Sequence, residues 1–230
     1  GLTVSQSNNV VVHSTQQKAK VKSKQKTLRR SSTISVYGSN RSYSGVSTSI
    51  ADGLTPSTIY GLRVQDREIS LNYPDIHRVL GVFEANDTTD PQLPTLRVDA
   101  SSASEVFTSN NVTIGEQIIG NSSGALARVV RVVDSIQLEY VYENQKRFEV
   151  QETITLKSSG IIGTINKLVS GDRNILSDFR VDKGHREEYV DYGRLVRKKD
   201  SPEPTRKLRI IFDYYTTNES EGSIETVSSY

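Results

Sequence analysis

An internal repeat constrains the fold of this 230-residue chain more than any other feature of its sequence. The segment IGEQIIGNSSGALARV, residues 114–129, aligns without gaps with VQETITLKSSGIIGTI, residues 150–165. Matching positions hold a glutamate, an isoleucine and a Ser-Ser-Gly turn: Glu116 and Glu152, Ile118 and Ile154, Ser122–Gly124 and Ser158–Gly160. Each copy is typical of a β-hairpin, with a strand, a tight turn at Ser-Ser-Gly and a second strand.

The stretch between the two copies predicts two more strands. Apolar and polar residues alternate there on either side of the turn signals Asp134-Ser135 and Glu143-Asn144. A solenoid needs roughly three or more repeats, so two copies that close a single unit are the better interpretation. We therefore predict a small β-barrel or compact sandwich over residues 96–170.

The rest of the chain is also typical of β-structure. KLRIIFDYYT, residues 207–216, predicts a strand, and a shift of the alternating pattern near Asp66-Arg67 predicts a bulge or turn. The turn-rich stretch DTTDPQLP, residues 87–94, predicts a domain boundary. A short helical turn is an option at Pro74–His77, and one short helix or an irregular loop is open for residues 185–198.

These patterns predict a mainly β protein with a β-sandwich or irregular β body and a small inserted β-barrel-like domain. Residues 1–95 form an N-terminal β segment, residues 96–170 the barrel, and residues 171–230 a C-terminal segment that packs with residues 55–95. Because the chain contains no Met, even at position 1, we expect it to be a fragment of a longer protein.

Composition excludes several classes of function. The absence of Cys rules out disulfides, thiolate metal sites and Cys nucleophiles. A net charge of +2 is nearly neutral, which argues against nucleic acid as a partner of the whole chain. No apolar run approaches the length of a membrane span, so no membrane association is predicted. An apolar fraction of 34% indicates thin cores and much polar surface.

A stripe of lysines occupies every second position near the start of the chain: Lys18, Lys20, Lys22, Lys24 and Lys26. On a strand these five ammonium groups would share one face. Three interpretations stay open. The stripe could bind phosphate or an acidic partner, protect an edge strand from sticking, or form a flexible basic arm.

No catalytic, metal or cofactor motif occurs. His13, His77 and His185 lack the spacing of a zinc site, and phosphate-binding loops and the Gly-x-Ser-x-Gly elbow are absent. A glycosidase pair among Asp182 and Glu187-Glu188 is weighed against salt bridges in a polar loop, and we favour the salt bridges. We predict that the protein is not an enzyme and binds no cofactor or metal.

The stretch DKGHREEYVDYGRLVRKKDSPEP, residues 182–204, carries acids and bases in nearly equal number. We expect its glycines to set tight backbone bends. Arg186 and Arg194 should pair with Asp182, Asp191 or backbone carbonyls and so brace a polar loop between β elements. The predicted structural or interface motif comprises Gly184, Arg186, Tyr189, Asp191, Tyr192, Gly193 and Arg194.

Three stretches together resemble a known family: residues 58–87, the Gly-Glu-x-Ile-x-Gly-x-Ser-Ser-Gly-Ala hairpin at 115–125, and residues 171–198. They resemble a large tail or baseplate structural protein of contractile-tailed, T4-like bacteriophages, including the cyanophage type. The last stretch follows the family pattern Phe-x-x-Asp-x-Gly-x-Arg-x-x-Tyr-Tyr-Asp-Tyr-Gly-Arg, from Phe179 to Arg194. Val190 stands where a second Tyr is common.

The resemblance implies a virion structural protein of the tail or baseplate that works by protein–protein assembly. It implies as partners other phage tail and baseplate proteins, and further copies of the chain in a homo-oligomer. It carries no catalytic residue over to this sequence. The alternative is a carbohydrate- or receptor-binding module of a tail fibre, which would present an exposed Tyr platform beside carboxylates or amides. A polysaccharide depolymerase is a more distant alternative.

Overall fold

The computed structural model describes residues 22–36, 60–61, 63–187, 189–217, 224 and 229. Within these residues the chain is mainly β, as predicted, with fourteen strands and one 3-10 helical turn at Leu176–Asp178. The first seven strands are β1 (Lys26–Val36), β2 (Tyr60–Gly61), β3 (Glu68–Pro74), β4 (Ile76–Glu84), β5 (Thr95–Val98), β6 (Gln117–Gly120) and β7 (Leu126–Asp134). The others are β8 (Gln137–Tyr142), β9 (Thr153–Leu156), β10 (Ile162–Val169), β11 (Arg173–Asn174), β12 (Phe179–Asp182), β13 (Tyr192–Arg197) and β14 (Leu208–Thr217).

The strands form two open sheets and one closed barrel. One sheet has the order β1-β14-β4-β11, the second has the order β12-β13-β3-β2, and the barrel has the order β10-β5-β8-β7-β6-β9. Strands from before and after the barrel pair in antiparallel fashion, β4 with β14 and β3 with β13. The fold is therefore a β body with an inserted barrel, the class that the sequence predicted.

The body has its own hydrophobic core between the two open sheets. In the first half of β3, buried and partly exposed side chains alternate: Ile69 and Leu71 are fully buried, whereas Ser70 between them is partly exposed. The core is made of Val36, Val64, Ile69, Leu71, Ile76, Val82, Ile175, Phe179, Leu195, Leu208, Ile210 and Phe212. Burial of each Ile or Leu in such a core stabilises the fold by about 1.5–3 kcal/mol.

The barrel is built from the two repeat copies related by a pseudo-two-fold axis. The hairpins β6–β7 and β9–β10 are the two copies, and β6 pairs with β9 in antiparallel fashion. Ile119 and Thr155, which are equivalent positions of the repeat, pair directly with each other. The flanking pairs Ile118 with Leu156 and Gly120 with Ile154 are exchanged by the same relation. The predicted hairpins are therefore confirmed, and they lie next to each other.

Each repeat glutamate is buried and caps the turn of the other copy. Glu116 is 3% exposed, and its Oε2 accepts hydrogen bonds from the Ser158 and Ser159 backbone N–H groups, at 3.1 and 3.0 Å. Glu152 is 5% exposed and accepts from Ser123 N and Oγ in the equivalent way. A buried carboxylate is tolerated only when donors surround it. The glutamate of each repeat copy therefore binds the Ser-Ser-Gly turn of the other copy.

The barrel joins the body through buried carboxylates and an apolar cluster. Arg78 on β4 contacts Asp213 of β14 through Nε at 2.8 Å and Glu143, just after β8, through Nη2 at 2.7 Å. Glu139 of β8 contacts Arg209 of β14 at 3.1 Å. Burial raises the pKa of Glu143, but the hydrogen bonds from Arg128, Gln117 and Arg78 outweigh it, so the pKa is lowered overall. The apolar cluster consists of Phe83, Leu93, Val130, Val141 and Ile211.

Two local options for helical structure are not realised. The option of a helical turn at Pro74–His77 fails because β3 runs to Pro74 and β4 starts at Ile76. Asp75 between them has a φ of 54°, and this left-handed residue is the junction between β3 of one sheet and β4 of the other. The option of a helix at residues 185–198 also fails, since this segment is a loop followed by β13. The turn predicted near Asp66 is present, with Asp66 N donating to Arg63 O at 3.0 Å.

Several predictions fall wholly or partly outside the described residues. Lys18 and Lys20 of the lysine stripe lie there, and Lys26 begins β1. By compactness the chain divides into one unit of residues 1–27 and 217–230 and another of residues 28–216. In the first unit, Ser23 forms a parallel bridge with Ile224, and its Oγ lies 2.9 Å from Ser229 Oγ. The domain limits 1–95, 96–170 and 171–230 stay a prediction.

The glutamate caps predict a large loss of stability on truncation. Glu116→Ala should remove the acceptor that the Thr113, Ser158 and Ser159 backbone N–H groups share, and should lower the free energy of unfolding by about 2–4 kcal/mol. Glu152→Ala should have an effect of the same size, because its contacts are equivalent. Urea denaturation followed by circular dichroism measures both changes.

Glu149→Ala is the matched control. Glu149 is exposed, so its truncation should change the free energy of unfolding by less than about 0.5 kcal/mol. If the Glu116 and Glu152 variants were as stable as the Glu149 variant, the caps would not stabilise the barrel.

Candidate functional site

The candidate site is the connection between β12 and β13, which contains most of the residues singled out from the sequence. The two strands are antiparallel neighbours, and Asp182 at the end of β12 pairs with Arg194 of β13. β13 in turn pairs with β3 of the body, so one side of the hairpin is anchored in a sheet. β12 is an edge strand, and the loop of residues 183–191 extends from this edge.

The two glycines of the motif have different roles. Gly184 has a φ of 86°, its N–H donates to Asp182 Oδ1 at 3.0 Å, and its carbonyl accepts from Asp191 N at 2.7 Å. A Cβ at this position would collide with the Asp191 carbonyl oxygen, so Gly184 makes the predicted bend. At Gly193 the pairing of β13 with β3 shifts register between Tyr192 and Arg194, and a tight bend there stays a prediction. Gly193 lies within β13, where a Cβ would collide with the Ile76 side chain.

Two arginines and two aspartates form a connected network across the base of the loop. Arg186 binds Asp182 in bidentate fashion, with Nη1 to Oδ1 and Nη2 to Oδ2 both at 2.9 Å. Asp191 Oδ2 accepts from Arg194 Nη2 at 2.7 Å and from Arg186 Nη2 at 3.5 Å. The pairs expected from the sequence are therefore present. Bidentate Arg–carboxylate contacts fix both position and orientation, so the network holds the loop in one shape.

This network also sets the protonation of Asp182. The hydrogen bonds from Arg186 lower the pKa of Asp182 to about 2, with a further contribution from the Gly184 N–H group. At neutral pH the carboxyl is therefore ionised and cannot serve as a proton donor. Glu187 is exposed, and Glu188 lies outside the described residues. Among the described residues, no three His, Cys, Asp or Glu side chains converge as metal ligands.

A long-range contact that the sequence did not indicate ties the loop to the body. His185 Nε2 lies 2.7 Å from Oδ1 of Asp75, the single residue between β3 and β4. Nearby, Ile76 N donates to Lys183 O at 3.2 Å, and Asp75 O accepts from Tyr215 N at 3.0 Å. The one available sequence signal was the Pro74-Asp75 pair, a common turn signature. The loop is thus held at its base by the arginines and on its side by His185.

Two tyrosines, one in the loop and one at the start of β13, are exposed to solvent. Tyr189 is 62% exposed and Tyr192 is 56% exposed, and Val190 between them is exposed as well. Arg186 N donates to Tyr189 O at 3.0 Å, and His185 forms a bridge with Val190, so the loop narrows into a small hairpin. The motif residues therefore separate by role. Gly184, Arg186, Asp191, Gly193 and Arg194 build the support, whereas Tyr189 and Tyr192 face solvent.

The low pKa of Asp182 yields a test of the network. Arg186→Gln removes the bidentate partner, so the pKa of Asp182 should rise from about 2 toward the ordinary value of 3.8. Carbon-detected NMR titration of the carboxyl measures the shift. Since the folded-state pKa is depressed, the stability from this pair is present above about pH 4 and is lost as the pH falls through 2. Its size should be about 1 kcal/mol, because the pair is partly solvent-exposed.

Asp99 is the internal control of that titration. Its pKa is lowered by hydrogen bonds from Ser101 N and Oγ and involves no arginine. It should therefore titrate identically in the wild-type protein and in the Arg186→Gln variant. An Asp182 pKa that did not move on the same substitution would contradict the network as the cause.

Comparisons with known proteins found no relative of this chain. The chain matches no family model, no curated protein and no solved structure. None of the helices among the described residues is long and apolar enough to cross a membrane. The function is therefore argued from the residues themselves and from the geometry of the braced hairpin.

Proposed function

We propose that this protein is a structural component of a bacteriophage tail or baseplate and works by protein–protein assembly. The observation that carries the proposal is the hairpin of residues 182–194, which presents the exposed Tyr189 and Tyr192 on a loop held by Arg–Asp pairs. The tail-protein pattern found in the sequence covers the same residues. On this proposal the protein is located in the virion.

Rigid exposed tyrosines suit a contact surface. Tyr buries a large area on association and has few torsions to immobilise, and aromatic residues are enriched at protein interfaces. A loop that is already fixed loses little further entropy on binding, so more of the contact energy remains as affinity. The bidentate Arg186–Asp182 contact and the His185–Asp75 contact supply this preorganisation.

The family pattern has a physical rationale on this proposal. Asp182, Arg186, Asp191 and Arg194 pair with one another, and Gly184 and Gly193 occupy places where a Cβ would collide. These residues preserve the shape of the loop, and the tyrosines meet the partner. The expected partners are other tail or baseplate proteins and further copies of this chain. No cofactor is required, and no role for nucleic acid or a membrane is proposed.

Substitution of an exposed tyrosine tests the assembly role. Tyr192→Ser should leave the free energy of unfolding within about 0.5 kcal/mol of wild type, because the side chain is mostly exposed. It should nevertheless reduce incorporation of the chain into particles by at least tenfold, as expected for an interface anchor worth more than about 1.4 kcal/mol. Quantitative mass spectrometry of gradient-purified particles, produced with the variant gene in place of the wild type, measures incorporation.

Val150→Ser is the control for that experiment. Val150 is 53% exposed, which is nearly the exposed fraction of Tyr192, but it belongs to the barrel. Its substitution should leave incorporation unchanged. Absence of the wild-type chain from purified particles would refute the virion assignment, whereas normal incorporation of the Tyr192→Ser variant would refute the role of the hairpin.

A cleft beside the barrel favours a second candidate function, carbohydrate or receptor binding by a tail-fibre module. It has a volume of about 590 Å³ and includes Tyr140, Tyr142 and Phe148 beside the amide of Asn144 and the carboxylate of Asp172. Most of its polar groups are already engaged, however. Asn144 bonds Leu126 N and Gly124 O, and Asp172 accepts from Asn86 and from Gln92 N.

Glycan-array binding separates the two candidates. The assembly role predicts no saturable glycan binding by the isolated chain. Binding that is abolished by Tyr142→Ala and retained by Tyr192→Ser would instead establish the cleft as a carbohydrate site. Tyr142 is chosen because its ring, with Arg147 stacked 4.3 Å away, is the less buried of the two tyrosines in the cleft.

A further inference from the structure

A cationic cleft lies at the end of the β12–β13 hairpin that is distant from the tyrosines. Its volume is about 450 Å³, and of the seven described residues that line it five carry a positive charge: Arg67, Arg180, Arg197, Lys198 and Lys199. The other two, Phe179 and Val196, are apolar, and none is acidic. Such a concentration of like charge is unfavourable in the absence of an anion.

Strand pairing brings these cations together from three parts of the sequence. Arg197 on β13 pairs with Phe179 on β12, and the neighbouring pair is Val196 with Arg180. On the other side, Arg197 N donates to Arg67 O at 2.8 Å, just before β3. Lys198 and Lys199 follow directly after β13. The backbone of a sheet therefore fixes the positions from which the cationic side chains extend.

The charges in this cleft are only partly compensated. Arg197 Nη2 lies 3.3 Å from Glu203 Oε2, and Lys198 Nζ donates to Ser177 O at 2.7 Å. Within the described part of the chain, the side chains of Arg67, Arg180 and Lys199 have neither an ion-pair nor a hydrogen-bond partner. Three exposed cations therefore remain available to a ligand.

A buried donor in the same cleft also lacks an acceptor. Arg197 Nη1 is inaccessible to solvent and has no hydrogen-bond partner among the described residues. A buried N–H group of a charged side chain is costly to leave unpaired, and it would gain an acceptor from the cleft only after a rearrangement that opens it. The three available cations, which extend from three segments of the chain, are the observation that calls for an anion.

We infer that this cleft binds a multivalent oxyanion of the phosphate or sulfate class. Guanidinium groups present paired donors that match two oxygens of such an anion, and an ammonium adds a point charge. A tetrahedral anion offers acceptors in several directions, which suits cations that approach from three chain segments. The inference is independent of the proposed assembly role, because it depends on this cleft alone.

Isothermal titration calorimetry of the whole chain with sodium phosphate, in sodium chloride of matched ionic strength, tests the inference. Saturable binding with one site per chain is expected, and sodium sulfate should compete. Arg180→Gln and Lys199→Gln should each weaken phosphate binding about tenfold, which corresponds to one charge-assisted contact. Both residues are exposed, so the variants should keep the wild-type thermal midpoint.

Arg97→Gln is the matched control, since Arg97 is an exposed arginine on β5 of the barrel and does not line the cleft. It should bind phosphate as tightly as wild type. A short single-stranded oligonucleotide distinguishes a phosphodiester backbone from free phosphate as the source of the anion. The inference is overturned if phosphate shows no saturable binding, if only the oligonucleotide binds, or if Arg97→Gln weakens binding as much as Arg180→Gln.

Discussion

The placement of the barrel on the body depends on arginines that stand between buried carboxylates. Arg78 contacts Asp213 of the body and Glu143 of the barrel at once, and Arg209 extends from the body to Glu139. Removing one member would leave its partner charged and buried, which is far more costly than losing an exposed pair. Ion pairs of this kind accept only one geometry. They therefore orient the barrel, whereas the apolar cluster around Phe83 stabilises the contact but is not directional.

Local and periodic features of the fold could be predicted from the sequence. The repeat predicted both barrel hairpins because a tight Ser-Ser-Gly turn between apolar strands is specified by adjacent residues. Alternation likewise predicted the turn near Asp66 and the strand that contains Phe212. The abrupt passage from β3 to β4 at Asp75 was missed, because it depends on one residue in a left-handed conformation that tertiary contacts hold in place. The partners of Glu116 and Glu152 were also out of reach, because each lies in the other hairpin.

In the candidate site, too, local contacts could be predicted from the sequence and long-range contacts could not. The pairs of Arg186 with Asp182 and of Arg194 with Asp191 could be predicted, since the partners are four and three residues apart in sequence. The contact of His185 with Asp75 spans 110 residues and has no local signature. The close packing of Gly193 was out of reach for a related reason. Its neighbour is Ile76 of another strand, and no pattern within the motif shows how closely that side chain approaches.

The exchange of caps between the hairpins has a consequence for biosynthesis. The first hairpin is complete once residue 129 has been made, but the donors for the Glu116 carboxylate come from Ser158 and Ser159. A nascent chain therefore cannot desolvate this carboxylate until the second turn has left the ribosome. Because the second hairpin needs Ser123 of the first in the same way, neither half gains a stable interior alone. The barrel should form in one late, cooperative step, after translation has passed residue 159.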